Sequence, residues 1–212
     1  VPCVPPVGAH ALPECIQLTG WIAADGLRAF VAEPPARNFE VPLSIRRVLP
    51  FASALQGGVI LHGSAVALPA GVHVFVAASA TGKSTLAAQL GLLGLSVVAD
   101  DLTPCRLVDG QVEVPLPSEA KRDGQSTRLC GVHFLSRSSL VDRVNLTPLT
   151  PARCVAQLLW NGFSELAVPE LWASQFRSYS KIARGVPAYA LAVPDDRRQI
   201  GPIAKDVRAA LD

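Results

Sequence analysis

VAASATGKSTLAAQL, Val76–Leu90, joins the end of an apolar run to the start of a helix-spaced one across a short polar turn. Thr81-Gly82-Lys83-Ser84-Thr85 carries the second half of the phosphate-loop pattern G-x-x-x-x-G-K-[ST], while Ala77 stands at the first glycine position. Each part of the pattern has a task. Gly82 lets successive backbone N–H groups turn into one anion-holding concavity. Lys83 brings a point charge to the β- and γ-phosphates, and the Ser84 hydroxyl is a ligand for Mg²⁺ bridging them. The helix that follows points its positive end at the same place. Ser79, Ala80, Thr81, Gly82, Lys83, Ser84 and Thr85 are therefore the candidate nucleotide-binding segment. Alanine at position 77 costs about 1–2 kcal/mol if the backbone there is left-handed and almost nothing if it is extended.

Working outward, Val59–Leu68 and Val72–Ala77 read as β-runs flanking the turn Pro69-Ala70-Gly71. Lys83–Leu93 keeps Leu86, Leu90 and Leu93 on one helical face, and Gly91 and Gly94 close it. Ser96–Ala99 is a short apolar strand ending in Asp100-Asp101, seventeen and eighteen residues beyond Lys83. Strand, helix and strand form a unit with a right-handed crossover and strands running the same way. Their carboxyl ends then share one edge, which brings the acids beside the loop. Two carboxylates there can divide the work of phosphoryl transfer, one toward a metal and one toward the proton of an attacking hydroxyl.

The rest of the chain reads more coarsely. Residues 1–42, rich in Pro, Gly and Ala, form an N-terminal strand-and-loop layer packed on the core, with a strand at Ala29–Ala32. Leu43–Gln56 is a short helix interrupted by Pro50, Val108–Val114 a hairpin around Asp109-Gly110, and Pro115–Ser139 polar and turn-rich. Helices are expected at Pro151–Trp160 and Glu170–Arg184, a strand at Ala188–Val193 and a closing helix at Pro202–Leu211. The fold class is α/β: a mixed sheet of six to eight strands flanked by helices and built around the phosphate loop. Residues 43–196 form the core and 197–212 the C-terminal helix of one compact domain.

Composition narrows the classes. The 212 residues carry a net charge of +2, are 50% hydrophobic and 6% aromatic, and show no stripe of Lys and Arg, so nucleic acid is not an expected partner. No apolar run approaches the roughly 18–20 residues that span a bilayer, and the N-terminus lacks the layout of a secretory signal. Cys3, Cys15, Cys105, Cys130 and Cys154 are scattered without metal or redox spacing, which points to free thiols and a cytoplasmic protein. The chain has no methionine, which reads as a removed initiator or a numbering that begins inside a longer chain.

LHGSAV (Leu61–Val66), SATGKST (Ser79–Thr85) and SVVADD (Ser96–Asp101) together resemble the core of the HPr kinase/phosphorylase family. They resemble more closely its short relatives, the HPr-kinase-like kinases found beside peptide natural-product genes, among them lasso-peptide tailoring kinases. GVPAYALAVPDD (Gly185–Asp196) resembles their closing strand, so the likeness runs from about Leu43 to Asp196. It implies a nucleotide-binding core like those of the HPr kinase C-terminal domain and phosphoenolpyruvate carboxykinase. It also implies an ATP-dependent kinase that uses Mg²⁺ to phosphorylate a serine-type hydroxyl on a peptide, protein or small molecule. By the family pattern Lys83 and Ser84 serve the phosphates and Mg²⁺, and Asp100 is the base. Asp101 leans to the metal, and His62 sits near the transferring phosphate. Ala77 and Ala80 stand where the family commonly has glycine. Glu113 and Glu119 are both candidates for its downstream metal ligand, and the signature of the reverse, phosphorylase activity is absent, so HPr is not the expected substrate.

Other residues carry less. His62 is either an active-site group or a core histidine, His73 is structural, and His10 and His133 have no distinguishing context. Lys121 and Arg122 fit either a nucleotide contact or a solvated loop. Arg177, Lys181 and Arg184 fit a solvated helix face, and Trp160, Trp172 and Phe176 the core. Two further readings compete: a nucleotide-binding regulator or assembly protein without an acceptor, and a kinase acting on a free amino acid or other metabolite. A carboxykinase would need extra arginines and a transition-metal site. Homo-oligomerisation is left open.

Overall fold

The computed structural model describes residues 9–11, 19–22, 29–32, 43–116, 127–162, 169–196 and 199–212. In the N-terminal layer, β1 (His10–Ala11), β2 (Thr19–Ile22) and β3 (Ala29–Ala32) form an antiparallel three-stranded sheet. The core is a mixed sheet of eight strands: β4 (Val59–Leu68), β5 (Gly71–Val76), β6 (Ser96–Ala99), β7 (Leu102–Val108), β8 (Gln111–Glu113), β9 (Leu129–Ser138), β10 (Asn145–Pro148) and β11 (Ala188–Pro194). Its order is β10-β11-β9-β5-β4-β7-β8, with β6 pairing β4. The fold is mixed α/β, as expected, at the upper end of the expected strand number.

β5, β9 and β11 run parallel to one another, and β4 runs against both β5 and β6. The strand before the phosphate loop and the strand before the acids therefore share a direction with β4 between them. Gly63 makes that arrangement fit. A Cβ there would lie 2.5 Å from the Phe75 carbonyl oxygen, so only glycine lets β4 approach β5 so closely.

Two apolar clusters cover the faces of the sheet. On one, Leu86, Ala87 and Leu90 of α2 (Lys83–Leu92) and Ile203, Ala204 and Val207 of α5 (Ile200–Leu211) meet Val66, Phe75 and Leu191. On the other, Cys154 and Leu158 of α3 (Pro151–Asn161) and Tyr179 and Ile182 of α4 (Pro169–Gly185) meet Leu61, Val74 and Val132. Thr150 caps α3, accepting a hydrogen bond from the Arg153 N–H, with Pro151 in the first turn.

Four expectations need correction. The first helix, α1 (Leu43–Leu55), runs through Pro50 without interruption. Val48, Phe51 and Ala54 are buried, and that packing outweighs one lost backbone bond. Pro115–Ser139 is not all turn, since it contains the ten-residue strand β9, largely buried between β5 and β11. Gly131 and His133 disguise its apolar run. The hairpin at Asp109-Gly110 has a longer first arm than expected, because β7 begins at Leu102. Trp160, Trp172 and Phe176 are exposed, at 85%, 51% and 41%, because the inward face of their helices is already filled by Leu158, Tyr179 and Ile182.

Arg177, Lys181 and Arg184 form a solvated face, and Cys105, Cys130 and Cys154 are free thiols. Glu119, Lys121, Arg122, Cys3 and Cys15 lie outside the described residues. No described helix is long and apolar enough to cross a membrane.

Candidate active site

β5 ends at Val76, and Ala77 is buried against Leu86 and Phe75 in the α2 cluster with an unstrained backbone. The first missing glycine therefore costs nothing. The strain falls three residues later: Ala80 takes φ 64° and Gly82 φ 103°. Only the second has the residue suited to that conformation. Thr81 turns the chain by donating both its N–H and its hydroxyl to the Ala78 carbonyl. Gly82 is the N-cap of α2, with no side-chain bond at the cap, so the amides of the first helical turn face the loop.

Lys83 is 6% exposed, and its Nζ donates to the carbonyls of Ala77 at 2.8 Å and Ala78 at 3.2 Å. Burial lowers its pKa, and the charges of Asp101 and Asp100 oppose that shift. Ser79, Ala80, Ser84 and Thr85 are exposed at the rim. Ser79–Thr85, Asp101, Arg137 and Ile200 line one cleft of about 410 Å³.

β6 delivers the acids to this edge, and they part there. Ser64, fully buried on β4, donates to Asp100 Oδ1 at 2.7 Å. Burial alone would raise the Asp100 pKa, but hydrogen bonds from Ser64, Ser84 and the Asp101 amide, with the Lys83 charge, bring it below its ordinary value. Asp101 takes φ 67°, a conformation uncommon outside glycine and one that clusters at functional sites. That turn aims its carboxylate at His62: the Nε2–Oδ1 distance is 3.1 Å. The other ring nitrogen, Nδ1, donates to the Asn161 carbonyl at 3.2 Å, at the end of α3.

The loop, Lys83, Ser84, Asp100, Asp101 and His62 come together at this edge. Glu113 is on β8, the last strand in the sheet order, where its backbone pairs antiparallel with that of Arg128, and it does not line the cleft. Two residues escaped sequence reading. Ser64 lies inside LHGSAV, where its inward-pointing hydroxyl on an apolar strand was the available signal. Arg137 ends β9 and was hidden with that strand. Its Nε donates to the Thr81 carbonyl at 2.8 Å.

Hydroxyl and carboxylate oxygens are the donors that suit Mg²⁺, which keeps several waters and needs few protein ligands. Ser84 and Asp100, hydrogen-bonded to each other, fit that requirement. No cluster of three or more His, Cys, Asp or Glu suited to a metal occurs among the described residues, so an all-protein cage for a transition metal is not what these residues offer.

No protein-family model and no curated protein matches the chain. Among solved structures, the chain is similar to the Hpr(Ser) kinase/phosphatase from Coxiella burnetii, at 13% identity and a TM-score of 0.42, over 72% of this chain and 95% of that one.

Proposed function

We propose that the protein is an ATP-dependent, Mg²⁺-requiring kinase that transfers the γ-phosphoryl group to a serine-type hydroxyl. One observation carries this reading: a lysine and serine at an uncapped helix start share a cleft with Asp101, while Asp100 is bonded to that serine and to Ser64, so two carboxylates beside the loop are held in different ways. A nucleotide-holding protein needs the loop alone, whereas phosphoryl transfer also needs a group that takes the acceptor's proton. The resemblance of LHGSAV, SATGKST and SVVADD supports a peptide acceptor, of the lasso-precursor type.

The hydrogen bonds favour a division of labour opposite to the one implied by that resemblance. Asp100, bonded to Ser64 and Ser84, is the carboxylate placed to hold Mg²⁺ with the Ser84 hydroxyl. The metal supplies charge neutralisation at the phosphates when bound. Asp101 lines the cleft and is paired with His62, so it is the carboxylate an entering hydroxyl meets. Asp101 accepts that proton, His62 holds the carboxylate in place, and Asn161 fixes the ring. Lys83 leaves its carbonyls for the β- and γ-phosphate oxygens.

The test is mass spectrometry of acceptor phosphorylation. Purified protein is incubated with Mg·ATP and a fractionated peptide and metabolite pool from its host. A peptide gaining one phosphate mass, with Asp101→Asn inactive but still binding ATP, is the expected result. Asp100→Asn is expected to require more Mg²⁺. A phosphorylated metabolite would move the acceptor to small molecules. ATP binding that needs Lys83 but yields no product would favour the regulator. Full turnover by Asp101→Asn would return the base to Asp100.

A further inference from the structure

Arg137 sits at the end of β9, beside the strand that enters the loop, and three features set it apart. Its Nε–H holds the Thr81 carbonyl at 2.8 Å. Its Nη2 lies 2.9 Å from where a Cβ on residue 82 would be, so Gly82 is the residue that admits the guanidinium to the loop. Its Nη1 is buried, with no hydrogen-bond partner among the described residues. A buried guanidinium N–H left unpaired costs free energy unless an acceptor answers it. Here the guanidinium lines the same cleft as Ser79–Thr85, the segment whose sequence pattern is that of an anion cradle.

Resting on the kinase reading above, we propose that Arg137 is the second cation of the phosphate site, pairing its guanidinium with an oxygen of the nucleotide's polyphosphate chain. The planar fork suits this work: one edge grips the loop backbone while the remaining N–H groups meet phosphate oxygens. Arg137 then couples two events. The bond to Thr81 sets the shape of the cradle, and the charge fills it. Lys83 serves the phosphates from within the loop and Arg137 from the neighbouring strand, so the anion is held from two sides.

The experiment measures binding of Mg·ATP and of inorganic pyrophosphate, which has no base, to the wild-type chain, Arg137→Gln and Arg137→Lys. Thermal melting without ligand checks folding. Arg137→Gln is expected to weaken both ligands by about tenfold or more. Its affinity should also depend less on ionic strength, a change that a purely structural role would not produce. Arg137→Lys, which keeps the charge, should recover part of the loss and remains the readout if the glutamine variant is poorly folded. Wild-type binding matched by both variants, or a lower melting temperature with unchanged pyrophosphate affinity, overturns the role of Arg137 alone. Failure of the wild-type chain to bind either ligand overturns the kinase reading and this inference together.

Discussion

The Ser64 hydroxyl donates to Asp100 Oδ1 at 2.7 Å from a side chain wholly removed from solvent. The bond ties β4 to the end of β6 and fixes which way the first carboxylate faces. It also separates Asp100 from Asp101, whose partner is His62. Adjacent residues thus receive different surroundings, and different chemistry follows.

Ser64→Ala should leave the fold intact and weaken the metal site. A residue that orients a metal-holding group is typically worth 10–100-fold in metal affinity. The Mg²⁺ concentration for half-maximal transfer is expected to rise by about tenfold, read from initial rates in a magnesium titration. An unchanged titration would detach Asp100 from the metal.

His62→Gln should separate catalysis from binding. The ring touches Asp101 and the Asn161 carbonyl, and through Asp101 it bears on the proton acceptor. Loss of a group that holds the base is expected to lower kcat by about 10²-fold, with ATP affinity unchanged. Rates and nucleotide titrations on the same preparation check this.

Ala80→Gly should stabilise the protein, which is unusual for a glycine substitution. Alanine at φ 64° carries a steric cost that glycine lacks, of about 1–2 kcal/mol, partly offset by glycine's greater freedom when unfolded. The net gain is expected to be about 0.5 kcal/mol, or a rise of about 1–2 °C in Tm. Differential scanning calorimetry resolves a shift of that size.

Stability should fall in mild acid because of His133. Burial, then the charge of His73, lowers its pKa to about 3. In the unfolded chain it titrates near 6.5, so between those values the unfolded state binds the proton and the native state does not. Stability is complete above pH ~6.5 and declines below it, by up to ~1.4 kcal/mol per pH unit for this group. His73, whose pKa burial also lowers, works in the same direction. Urea denaturation at pH 7.5 and 5 measures the decline. His133→Phe, which keeps a ring beside His73 and Tyr189, should flatten it.

Much of this was legible in the sequence because local pattern and tertiary role coincide there. The strand, loop, helix and strand around GKST announce themselves by periodicity and by residues whose chemistry suits no other place. β9 was not legible. It is buried on both sides between parallel neighbours, so it has no alternation to read, and its glycine and histidine look like loop. Arg137 disappeared with it. The strain at Ala80 was also misplaced, since the motif draws attention to position 77 whereas the positive φ falls at 80. The division of Asp100 from Asp101 depends on Ser64 and His62, partners 36 and 39 residues away along the chain from the acids they organise, and no local pattern encodes such a meeting.

Lys83, by donating to the carbonyls of Ala77 and Ala78, works as a clasp between the end of β5 and the start of α2. A phosphate that draws the ammonium away opens the clasp and frees two carbonyls at the strand exit. Ligand affinity therefore measures an exchange of partners, and it is smaller than the lysine–phosphate contact alone would provide. The same exchange carries news of the phosphate into the backbone of the sheet, through β5 to its neighbours β4 and β9.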